Sequence, residues 1–146
     1  MATPPNNYFA TNITTIPVTS QPAGAPLVIT INPFAEGITT YTINPVTLGS
    51  YITYFNIVGP TIGSTFNFYV PSVNGLLGQT ITVRNSSDNI VNVVPSTNAL
   101  IDEGTYFSIL LASQASYTVG DLGAVTMMAD PTNTDSWYVL NTFIRF

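Results

Sequence analysis

The sequence predicts an all-β fold: an antiparallel β-sandwich, jelly-roll-like, of about eight to ten short strands preceded by an extended N-terminal arm. Three observations carry this expectation. Apolar and β-branched residues alternate with Thr and Asn in short runs. Gly, Pro, Asn, Asp and Ser break the runs at intervals of about 8–12 residues. No stretch repeats its apolar residues at the helical period of about 3.6.

The division is residues 1–26 as the arm and 27–146 as the sandwich. Pro4, Pro5, Pro17, Pro22 and Pro26 forbid a helix in the arm and remove ladder donors. Its Tyr8, Phe9, Ile13 and Ile16 favour burial, so the arm is expected to dock on a neighbouring subunit. From Leu27 the expected strands are "LVITI" (27–31), "ITTYTI" (38–43), "YITYFNIV" (51–58), "TFNFYV" (65–70), "QTITVR" (79–84) and "NIVNVV" (89–94). "TYFSILLA" (105–112), "SYTV" (116–119), "AVTMMA" (124–129) and "SWYVLNTF" (136–143) complete them. "SSDN" (86–89) reads as a hairpin turn.

"VPSVNGLLGQT" from Val70 returns 24 residues later as "VPSTNALIDEGT" from Val94. In each copy Pro ends a strand, Asn turns the chain and Gly opens the next strand. "ITINPFAEG" (29–37) and "YTINPVTLG" (41–49) form a shorter echo at an offset of 12. Shared turn chemistry is the expected cause, because a solenoid needs about three or more repeats.

Composition excludes whole mechanisms. Only 6% of residues are charged, against about 25% in ordinary domains. The cations are Arg84 and Arg145 alone, the net charge is −5, and His and Cys are absent. That removes Ser-His-Asp and Cys nucleophiles and the common zinc and copper sites. Without Lys there is neither a P-loop nor Schiff-base chemistry. No enzyme activity, cofactor or nucleic-acid partner is expected, since two Arg cannot neutralise a run of phosphates. No apolar run is long enough for a membrane helix, and the first residues lack the basic and apolar regions of an export signal.

A surface of Thr, Asn and Ser (22, 14 and 11 residues) keeps a lone monomer in solution poorly, so self-association is expected. Phe143, Ile144 and Phe146 put apolar surface at the last strand and join Tyr8, Phe9, Ile13 and Ile16 as expected interface residues. Weaker candidates remain. Asp130, Asn133 and Asp135 in "DPTNTD" offer oxygens for a cation, although Asx turns explain the same residues. Trp137, Tyr51 and Tyr54 could stack on a glycan, while alternation favours Trp137 as a core residue. Asn12 and Asn85 match the glycosylation pattern by composition.

"GQTITVRNSSDNIVNVVPS", "LIDEGTYFSILLASQASYTV" and "DSWYVL" together resemble β-rich structural and fibre-head proteins of phages and giant DNA viruses. The resemblance spans about residues 65–142 and departs at "DPTNTDSW". It implies a jelly-roll-like or related sandwich, commonly trimeric, serving as a capsid, decoration or fibre component, with no catalytic residues to carry over. The functional expectation is therefore a virion structural subunit forming a homotrimer among other virion proteins. Its rivals are a receptor- or glycan-binding head and a subunit of an extracellular filament.

Overall fold

A computed structural model describes residues 27–32, 37–45, 48, 52–61, 63, 65–96, 99–133 and 135–146. The expected arm lies outside the described residues. Ten strands are present: β1 (Leu27–Ile31), β2 (Thr40–Thr42), β3 (Ile52–Ile57), β4 (Phe66–Val70) and β5 (Thr80–Asn85). β6 (Val91–Pro95), β7 (Leu100–Ile101), β8 (Ile109–Leu111), β9 (Leu122–Ala129) and β10 (Ser136–Ile144) follow. No helix of the described residues is long and apolar enough to cross a membrane.

The strands form two mixed sheets, one ordered β1-β3-β5-β9-β10-β7 and the other β2-β4-β6-β8. Among the described strands, antiparallel pairing is confined to β5–β9, β9–β10 and β6–β8; the other five pairs are parallel. This corrects the expected antiparallel, jelly-roll-like order. Strands β1 to β6 alternate between the sheets, and each of β1 to β4 pairs in parallel with the strand two places on. The chain therefore winds through three successive turns, as a β-solenoid does. Strands β8 and β9 then run antiparallel to the last turn, each in its own sheet.

Winding of this kind needs each turn to stack its inward residues on those of the turn before. Ile29, Phe55, Val83 and Val125 form one such column in the first sheet. Tyr41, Phe68, Val93 and Ile109 form its counterpart in the second. All eight are buried. The columns meet edge to face where Phe55 and Phe68 lie 5.1 Å apart at 68°, and Tyr41 stacks on Phe68 at 5.2 Å.

The repeated Val-Pro-Ser segments are stacked positions on consecutive turns, with Val70 opposite Pro95. The Ser96 N–H donates to the Val70 carbonyl at 3.0 Å. The Ile-Asn-Pro echo marks the exits of β1 and β2, the two halves of one turn. Gly75 and Gly78 hold the chain at φ 75° and 83° on leaving β4, a region that side chains disfavour.

"SSDN" makes a corner and not a hairpin, because β5 and β6 belong to different sheets. Asn85 organises that corner from a fully buried position. Its Nδ2 lies 2.7, 3.1 and 3.0 Å from the carbonyls of Asn89, Leu111 and Ala112. Its Oδ1 accepts from the Ser87 N–H and hydroxyl at 3.0 and 2.7 Å. Folded, the chain leaves this Asn no room for a glycan.

"SYTV" is loop where a strand was expected, and "TYFSILLA" supplies only Ile109–Leu111. A 3₁₀ turn at Asp102–Gly104, with Asp102 and Glu103 at φ 52° and 56°, precedes Phe107, which is 89% exposed.

Asn85→Ala should strand buried carbonyls at the β5–β6 corner. The expected loss is about 3 kcal/mol of unfolding free energy, read as a lower urea midpoint with an unchanged slope. An unchanged midpoint would show that the corner tolerates those carbonyls without a donor.

Candidate functional site

The outer face of the first sheet carries the site. In-register pairing sets its rows. Ile52, Thr80, Met128 and Tyr138 make one; Val28, Tyr54, Thr82, Thr126 and Asn141 make the next; Thr30, Asn56, Arg84, Ala124 and Phe143 make the third. Thr82 and Thr126 share a hydrogen bond of 2.8 Å between their hydroxyls. This face is built mainly of threonine and apolar side chains, with Asn56, Arg84 and Asn141 among them and Ile52, Tyr138 and Phe143 exposed.

At one corner of the face lies a groove of about 370 Å³ lined by Tyr54, Thr82, Arg84, Tyr117, Gly123, Ala124, Phe143, Ile144, Arg145 and Phe146. Both cations of the sequence line it. Arg84 is exposed at the end of β5. Arg145 is tied down: Nη2 donates to the Asn85 and Ala112 carbonyls at 2.6 and 3.2 Å. Its guanidinium lies over the Tyr117 ring, 5.4 Å from the centroid. Tyr117 donates its hydroxyl proton to the Phe146 carbonyl at 2.9 Å.

Gly123 makes the guanidinium's position possible, since a Cβ there would come within 3.0 Å of Arg145 Cζ and Nε. Arg145 Nε is buried without a hydrogen-bond partner. Because Asn85 ends β5 in one sheet and Ala112 follows β8 in the other, Arg145 clamps the two sheets together beside the groove.

The lining offers tyrosine and threonine hydroxyls, two guanidinium groups and aromatic rings, and no side-chain carboxylate. Such a set donates hydrogen bonds to an anionic or hydroxylated ligand and stacks against a ring.

The sequence-predicted residues divide. Tyr54 lines the groove. Trp137 does not: it is fully buried, with Nε1 donating to the Pro71 carbonyl at 2.7 Å. Its indole pins β10 to the exit of β4, so it cannot contact a glycan. Tyr51, Tyr8, Phe9, Ile13 and Ile16 lie outside the described residues. Phe143, Ile144 and Phe146 are 54%, 49% and 92% exposed in the single chain. A register shift between Phe143 and Ile144 breaks the strict alternation there. Neither Arg84 nor Arg145 was marked by the sequence as a site residue, and their scarcity was the available signal.

The "DPTNTD" loop joins β9 to β10. Asp130 Oδ1 accepts from the Thr132 N–H at 2.8 Å and its hydroxyl at 2.7 Å. Asn133 Oδ1 accepts from the Asp135 N–H at 3.3 Å, and Asp135 Oδ1 lies 3.5 Å from the Ser136 hydroxyl. These are turn-forming bonds. Among the described residues, no group of three or more acidic side chains is arranged for a metal ion.

The chain matches no protein-family model, no curated protein and no solved structure.

The Thr132 N–H and then its hydroxyl hold the Asp130 carboxyl below its ordinary value of 3.8, against burial, which pushes it up. A depressed folded value means that the stabilisation is complete above the unfolded value and lost as pH falls through the folded one. The gap in urea midpoint between the natural chain and Asp130→Asn should be constant near neutrality and close in acid, below about pH 4. A gap independent of pH would exclude the ionised carboxylate as its source.

Proposed function

We propose that this chain is a non-enzymatic structural subunit of a virion, a capsid, decoration or fibre component that associates as a homotrimer. The exposed apolar end of β10 carries the reading. Phe143, Ile144 and Phe146 are exposed together at the rim of a face whose outer rows are mainly threonine and apolar side chains. Such clustered apolar exposure marks contact surfaces. A charge-poor surface of hydroxyls and amides favours the same outcome. Resemblance to phage and giant-virus structural proteins supplies the virion and the trimer.

Light scattering after size exclusion at micromolar concentration should give three chain masses. Phe143→Ser with Phe146→Ser should give one, with the unfolding free energy of the separated chain changed by less than about 1 kcal/mol. A natural chain that runs as a monomer across that range overturns the proposal.

A second reading, a glycan-binding head, is favoured by the groove that gathers Tyr54, Arg84 and Arg145. Carboxylated sugars suit it, because its lining is cationic and aromatic. Calorimetric titration with sialylated and uronate-containing oligosaccharides should show binding that Tyr54→Ala and Arg84→Ala each weaken about ten-fold or more. No heat from either class removes this reading.

A further inference from the structure

The winding has two ends, and they are built differently. Beyond the third turn the sheets continue into β8, β9 and β10. At the other end, among the described strands, the sheets stop at β1 and β2. The Thr39 carbonyl and the Ile43 N–H both bond to β4, through the Asn67 N–H at 2.8 Å and the Tyr69 carbonyl at 3.0 Å. Backbone groups alternate in direction along a strand. Those of Thr40 and Thr42 therefore point away from β4, toward the terminal edge.

A sequence observation meets that edge. Residues 7–18, "NYFATNITTIPV", align without a gap on residues 32–43, "NPFAEGITTYTI". The matches are Asn, Phe, Ala, Ile, Thr and Thr, six of twelve positions. Ile16 and Val18 stand where Tyr41 and Ile43 stand. The offset is 25, equal to the step from Phe66 to its β6 partner Val91 and one short of the step from Leu27 to Thr53. The link also repeats: eight residues (19–26) separate Val18 from Leu27, and eight (44–51) separate Ile43 from Ile52.

We propose that residues 7–18 are a further copy of the half-turn that contains β2, and that this segment of the same chain closes the β1/β2 end of the winding. Thr15, Ile16 and Pro17 then lie parallel beside Thr40, Tyr41 and Thr42. Pro17 tests the register. With Ile16 opposite Tyr41, Ile16 exchanges its backbone bonds with Thr40 and Thr42, and Pro17 turns its donorless nitrogen outward. A proline facing out from an outermost strand costs no ladder bond and deters pairing with another chain. Ile16 extends the buried column of Tyr41, Phe68 and Val93. The alternative occupants of this edge are a second copy and an unrelated strand. The matched link lengths favour the chain's own segment, since the same number of residues already spans the crossing from Ile43 to β3.

The chain has no Cys, so an engineered pair reports without background. Thr15→Cys with Thr40→Cys should be joined within one chain by a short bis-maleimide, whereas Thr15→Cys with Thr118→Cys should not. Amide exchange at Thr40 and Thr42 should be slow in the full chain. That protection should be lost in Ile16→Asp and on removal of residues 1–18. Joining only between chains, no joining at all, or protection indifferent to both changes would overturn the proposal. The joining result stands even if the shortened chain fails to fold. The expected joining within one chain does not depend on whether the folded chain assembles.

Discussion

Everything in this molecule follows from the demand that each turn lie in register on the one before. Parallel neighbours sit about 4.8 Å apart, and a slip of one residue in any turn would put that turn's inward residue, Ile29, Phe55 or Val83, on the outer face. The contact of Phe55 with Phe68 makes the same demand across the interior, because it fixes one sheet's column against the other's. Tyr41, stacked on Phe68, carries that arrangement to the first turn. Alternating burial along β3, β4 and β5 is the sequence's response to this geometry.

Corners are where such a winding leaves backbone groups without ladder partners, and the chain's polar side chains collect there. Asn85, Ser87 and Asn89 form a buried network at the β5–β6 corner, and Asn89 Nδ2 reaches the Pro60 carbonyl at 2.8 Å. Ser86 donates to Asn56 Oδ1 at 2.7 Å, tying the corner to the preceding turn. Arg145 and Trp137 do related work at longer range, each donating from β10 or its end to backbone carbonyls distant in sequence. Buried donors and acceptors met in this way stabilise a fold mainly by avoiding the cost of being unmet.

The sequence made the strands legible and concealed their pairing. Period-two alternation reports that one face of a strand is buried, and it located β1 to β6, β9 and β10 closely. Alternation does not report direction. Short connections suggested hairpins, yet those among β1 to β6 join strands of different sheets, so the true neighbours there lie 25–28 residues apart. The Val-Pro-Ser repeat contained that spacing but was offset by one residue from the structural register. Trp137 was legible as a core residue from alternation. The groove was not, since Arg84 and Arg145 are far apart in sequence and meet only because β9 lies between β5 and β10.

The scarcity of charge also acquires a cause inside the fold. In a parallel winding every outward residue stands beside its counterpart on the next turn, so a charge repeated from turn to turn would repel itself. Arg84 is the one charged residue within a described strand, and its row is Thr30, Asn56, Ala124 and Phe143, all neutral. Asp88, Asp102, Glu103, Asp121, Asp130 and Asp135 lie in turns and loops, and Arg145 follows the last strand. Stacking thus disfavours like charges repeated from turn to turn, alongside any effect of subunit contact. The stronger support for assembly is the set of apolar side chains that the winding does not use, foremost Phe143 and Phe146. Stacking needs neither of them, and water is a poor partner for both.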